Sequence, residues 1–141
     1  MLLLNAGTTL FMTGLIWFVQ IVHYPLFKAV GQDGFEHYEA QHRNLTTLVV
    51  GPMMLLELLS AVLLLWYPPA GIKTWQLYMG LGLVGIIWLS TAVLQVPQHS
   101  ILAQGFNQQA YEALVTTNWL RTLAWTLRSL LVCYWLWLRL F

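Results

Sequence analysis

Five polar side chains in an otherwise apolar chain have the types and spacing to do chemistry: His23, Gln95, His99, Asn118 and Arg121. Each stands at one end of an apolar stretch, and alternate stretches place all five at the same face of the fold. His42 enters that face at the head of a further stretch. Converging imidazoles suit a transition metal or a haem, so His23, His99 and His42 are the candidate metal ligands. Asn118, Arg121, Trp125 and Arg128 recur at i, i+3, i+7 and i+10, one stripe of a helix. Asn118 and Arg121 would hold an anionic group such as a haem propionate, or a quinone carbonyl, beside the histidines. Gln95 takes the place in the second half that His23 takes in the first. A symmetric bis-histidine haem would therefore need His99, one turn on, as its second ligand.

Two ionisable residues lie deeper. At a 1.5 Å rise per residue, Glu57 is roughly 20 Å along its helix from Asn44, and Arg128 roughly 16 Å from Thr117. Opposite charges at matched depth predict a Glu57–Arg128 ion pair. A second motif is set aside. Glu39-Ala-Gln-His42 has the Glu-x-x-His spacing of carboxylate-bridged di-metal helices. A full di-iron set needs two such motifs, and Glu112 is followed by Leu114 and Val115.

The elements that must carry these groups can be read from composition. The chain has 141 residues, 59% hydrophobic and only 8% charged, against roughly 25% charged in a soluble domain. That excludes an ordinary soluble domain, and the absence of a basic patch argues against a nucleic-acid partner. The lipid bilayer is the expected partner. Four stretches are long enough to cross it, about 6–27, 45–66, 75–96 and 119–138. Tyr67-Pro-Pro-Ala-Gly-Ile-Lys73 reverses the chain between the second and third. The longer polar connections, Lys28 to Asn44 and Gln98 to Thr117, lie on the opposite side and carry the candidate site. Each is expected to form a short amphipathic helix lying at the interface, built in the first half on Phe35, Tyr38 and His42. The first apolar run lacks a basic lead and a cleavage site, and reads as a retained span. The lone Cys133 reads as buried filler.

Every stretch has a polar stripe: Thr9, Thr13 and Gln20; Thr46, Glu57 and Ser60; Thr91, Gln95 and Gln98; and Asn118 to Arg128. Unpaired polar groups facing lipid cost several kcal/mol, so the stripes should face one another inside a bundle. Trp66, Trp75, Trp135 and Trp137 are expected at a membrane boundary as an aromatic belt. Trp17, Trp88 and Trp125 are expected to fill the interior.

The two halves echo each other. Trp17, His23, Pro25, Gly34-Phe35, Tyr38-Glu-Ala and Asn44 are matched in the same order by Trp88, Gln95, Pro97, Gly105-Phe106, Tyr111-Glu-Ala and Asn118. A duplicated hairpin, about 1–70 and 71–141, with parallel repeats accounts for this. The expected fold is all-α: one transmembrane domain, a four-helix bundle of two tandem hairpins with amphipathic connections on one side.

Several phrases together, Trp17-Phe-Val-Gln-Ile-Val-His-Tyr-Pro25, Tyr38-Glu-Ala-Gln-His42, Trp88-Leu-Ser-Thr-Ala-Val-Leu-Gln-Val-Pro97-Gln-His99 and Asn118-Trp-Leu-Arg-Thr-Leu-Ala-Trp125, are similar to an uncharacterised family of small bacterial membrane proteins. The resemblance covers nearly the whole chain. It implies a four-span protein of the bacterial inner membrane and carries over no activity and no catalytic residue. The termini are expected in the cytoplasm. Two functional classes stay open. One is a membrane protein binding a redox cofactor or metal (haem or a transition-metal ion). The other is non-catalytic, either a carrier or pore element for a small solute, alone or as a homo-oligomer, or an accessory subunit. The sequence does not decide whether the chain is an enzyme, nor name its small-molecule ligand.

Overall fold

The computed structural model describes residues 1–140, the side chain of residue 140 excepted. Among them all regular structure is helical. Helix α1 runs Leu2–Ala29, α2 Gln32–Trp66, α3 Thr74–Leu102 and α4 Gln108–Leu140. Helices α1, α2 and α3 are long and apolar enough to cross a membrane. Helix α4 is equally long, but its arginines lower its hydropathy. Helix α1 packs on α2 and α4, and α3 also packs on α2 and α4, so the four form a ring in chain order.

The bundle is apolar outside and polar inside. Asn5, Thr9, Gln20, Glu57, Gln95, Asn118 and Arg128 are buried, while Leu3, Leu48, Leu89 and Leu130 project from the four helices in turn. Water would drive the opposite distribution. Apolar side chains fill the spaces between the polar ones in three layers. One lies by the 67–73 turn and includes Ala6, Leu77, Val132 and Trp135. The middle layer includes Met12, Met54, Ile87 and Trp125. The third, at the candidate site, includes Tyr24, Phe27, Phe35, Leu102 and Tyr111.

The prolines do not break their helices. Pro25 and Pro97 have no N–H and crowd the carbonyl one turn back. Each is preceded by a π-helical segment, Val19–His23 and Thr91–Gln95, ending two residues before it. The Tyr24 N–H reaches Val19 O and the Val96 N–H reaches Thr91 O, an i→i−5 pattern that lets the helix run on. One extra residue per turn re-aims the side chains beyond it, a device often found at functional sites.

Three expectations are corrected. The connections hold no separate interfacial helices. Their polar segments continue α2 and α4 inward from Gln32 and Gln108, because no glycine or proline interrupts the run from Phe35 to Val50 and extending a formed helix is cheap. Reversal happens at Gly31, with φ 80°, and at Gly105, with φ 124°, a backbone region open to glycine. Asn107 precedes helix α4 and its Oδ1 accepts the Ala110 N–H at 2.9 Å, a side-chain cap. Cys133 is exposed on α4 rather than buried. Trp135 is an interior residue rather than part of a boundary belt, whereas Trp17 is partly exposed and donates to Thr126 Oγ1.

Candidate functional site

Between the middle layer and the layer at the 67–73 turn, the bundle is closed by a buried polar lock. Arg128 Nε donates to Glu57 Oε1 at 2.7 Å, Nη1 to the Gly80 carbonyl at 2.7 Å, and Nη2 to Asn5 Oδ1 at 3.0 Å. Glu57 also accepts from Thr9 Oγ1 at 2.7 Å and from Trp125 Nε1 at 2.9 Å. Asn5 Nδ2 donates to Ser60 Oγ and to the Glu57 carbonyl. All four helices take part. Gly80 is required at its position: a Cβ there would lie 2.8 Å from Trp135 Cη2 and 3.0 Å from Arg128 Nη1. Glu57 and Arg128 were expected partners. Asn5, Trp125 and Gly80 were not, and an asparagine amid Met-Leu-Leu-Leu was the available signal for Asn5. A buried pair with a partner at every polar atom holds the helices in register.

Toward the 30–31 and 103–107 connections lies a second cluster of different character. Glu39 and His42, three residues apart on α2, share a face. His99, one turn past the α3 π-segment, comes to meet them, with Nδ1 2.6 Å from Glu39 Oε1. Tyr24 OH lies 3.2 Å from His99 Nε2. His23, which closes the α1 π-segment, sets Nε2 2.9 Å from His42 Nδ1, and Thr46 Oγ1 is 3.1 Å from the same atom. Phe27 packs against the rings of His23, His42 and His99.

Glu39, His42 and His99 each offer a ligand atom, and these atoms lie within 4.8 Å of one another. Glu39 is fully buried, and its Oε2 has no hydrogen-bond partner. A buried carboxylate oxygen left bare is costly, and a cation or a proton would complete it. His23 and Thr46 occupy Nδ1 of His42, which leaves Nε2 to donate to an ion. Metal-bound histidines are ordinarily held through the second ring nitrogen in this way. One carboxylate and two imidazoles form the donor set of catalytic zinc and non-haem iron sites, with coordination positions left open.

Glu39 is the member of the cluster that sequence reasoning set aside. Its spacing to His42 was visible, but a matching Glu-x-x-His was required of the other half, where the fold supplies a lone histidine. A haem between His23 and His99 fits poorly. His42 stands between them, with ring centroids 4.7 Å from His23 and 5.3 Å from His99. Phe27 and Tyr24 close the remaining space.

Gln95, Asn118 and Arg121 lie beneath this cluster. Asn118 is a positioning residue: Nδ2 donates to Gln20 Oε1 at 2.9 Å, and Oδ1 accepts from Arg121 Nη1 at 3.3 Å. Arg121 stacks its guanidinium over Trp125 at 5.3 Å. With His42 and His99, Gln95 and Arg121 line a cavity of about 320 Å³ whose other walls are mainly apolar. His23 stays outside it, behind His42. The expected site residues therefore fall into three roles: His42 and His99 at the donor cluster, His23 and Asn118 behind them, Gln95 and Arg121 on the cavity wall. Comparison with protein-family models, with curated proteins and with solved structures finds no match for this chain.

Proposed function

We propose that the chain is a four-span integral membrane protein that holds one transition-metal ion, zinc or ferrous iron by its donor set, between Glu39, His42 and His99. The single observation behind this is the convergence of those three donors within 4.8 Å around a fully buried carboxylate with an unpartnered oxygen. The ion would supply a Lewis-acid or redox centre with open coordination positions facing the bundle interior. His23 and Thr46 orient His42, and Tyr24 orients His99. The lock at Glu57 and Arg128 fixes the helices that present them.

The bilayer setting is supported by the three apolar helices and by the inside-out distribution of polarity. Helix α4 fits as the fourth span because Arg121 and Arg128 turn inward while Leu120, Leu123, Leu127 and Leu130 face out. Descent from a doubled hairpin is supported by the two π-segments, each ending two residues before a proline. On this reading, and by its resemblance, the protein belongs to a bacterial inner membrane, and the acids of the opposite side, Asp33, Glu36, Glu39 and Glu112, favour termini in the cytoplasm.

The test is elemental analysis of protein purified without chelator and of protein reloaded with zinc or iron. About one ion per chain is expected, lost in Glu39→Ala and in His99→Ala. A folded wild-type protein that retains no ion after reloading would overturn the reading. So would wild-type stoichiometry in both variants.

A further inference from the structure

The cavity below the donor cluster has a sign. Two arginines, Arg43 at its exposed rim and Arg121 at its buried end, are among its lining residues, and no carboxylate is. The nearby buried acids are already committed: Glu57 to Arg128 and Glu39 to His99. Arg121 is 7% exposed, and its Nε has no hydrogen-bond partner. Its neighbours are the neutral Asn118 and Tyr24 and the face of Trp125. A buried guanidinium without a counter-charge is costly to keep, unless an anion enters to meet it.

A second wall group is also left open. Thr117 gives its hydroxyl hydrogen to the Ala113 carbonyl at 2.7 Å and accepts from Gln95 Nε2 at 2.9 Å. That fixes the orientation of the Gln95 amide and leaves its Oε1, buried and unpartnered, to accept from a donor on the body of a ligand; it gives no hold on an anion, which is left to Arg121. The rest of the wall, Met12, Ile16, Met54 and Trp88 among it, is apolar. An apolar chamber with a few convergent polar groups is the usual form of a small-molecule site.

We propose that this cavity binds a small amphiphilic oxyanion, a carboxylate on an apolar and preferably aromatic body, with the carboxylate on Arg121 and the body against Met12, Met54 and Trp88. Arg43 draws the anion to the rim. The inference goes beyond the metal reading and does not need it, because Arg121 and Gln95 are not among the donors of the ion.

The experiment is equilibrium binding of radiolabelled 2-naphthoate to the full protein in lipid nanodiscs, before and after chelator treatment. Neutral 2-naphthamide is the control. Saturable binding of one naphthoate per chain is expected, about tenfold or more tighter than the amide, since one charge-assisted contact is worth that much. Arg121→Gln should lose this preference, and Val50→Trp, which adds bulk at an apolar wall residue of the chamber, should abolish binding. Chelation should leave naphthoate binding intact, so failure here and failure of the metal assignment are read separately. Equal affinity for acid and amide, wild-type binding in Val50→Trp, or no saturable naphthoate binding at all would each overturn the proposal. If Arg121→Gln does not fold, Val50→Trp and the acid-to-amide ratio of the wild type still decide it.

Discussion

Arg128 and Glu57 meet inside the bundle at 2.7 Å, and between them they engage every one of the four helices. Removing one member strands the other in an apolar interior. Glu57→Leu or Arg128→Leu alone should destabilise the protein by about 3–5 kcal/mol. The double leucine variant should unfold later than either single one, because it strands no charge. Thermal or denaturant unfolding in detergent measures this. A double variant no better than the worse single would contradict it.

Gly80 lets α3 approach the Arg128 guanidinium. Gly80→Ala puts a methyl 2.8 Å from Trp135 and 3.0 Å from Arg128 Nη1. Overpacking of that kind costs about 1–3 kcal/mol. Trp135→Phe in the same chain should recover part of the loss by shortening the opposing ring. The same unfolding measurement reads both variants.

On the proposed reading, His23 supports the ion through His42 and is not itself a ligand. His23→Ala should leave the ion stoichiometry near wild type while weakening affinity about 10- to 100-fold, the usual effect of losing such a support. Competition against a chelator of known affinity distinguishes this from loss of a ligand, which would remove the ion altogether.

Cys133 reports whether α4 is a span. It is exposed on the outer face of that helix, so in lipid it should resist a membrane-impermeant maleimide and react once the protein is unfolded in detergent. Rapid labelling in intact proteoliposomes would show α4 lying outside the bilayer.

Much of this arrangement was legible in the residues. Glu57 and Arg128 stood out because opposite charges at equal depth in apolar helices have few other partners. Helical spacing in the two polar connections was visible as well. Their merger with α2 and α4 was not, because Pro25 and Pro97 look like the breaks, whereas the backbone reverses at Gly31 and Gly105. Asn5, Trp125 and Gly80 were out of reach for another reason. Their roles depend on rotation about helix axes and on close approach, which a linear pattern does not encode. The π-segments belong to the same class. They re-aim His23 and His99 by a local change of helical period, and that brings His99 from one half onto Glu39 of the other.

X-ray absorption at the metal edge, on protein reloaded with zinc, tests the central assignment most directly. Two imidazole nitrogens and carboxylate oxygen, at about 2.0–2.2 Å, are expected around the ion. The oxygen contribution should fall in Glu39→Ala and one imidazole should disappear in His99→Ala. Coordination without imidazole, or coordination unaltered by both substitutions, would contradict the account.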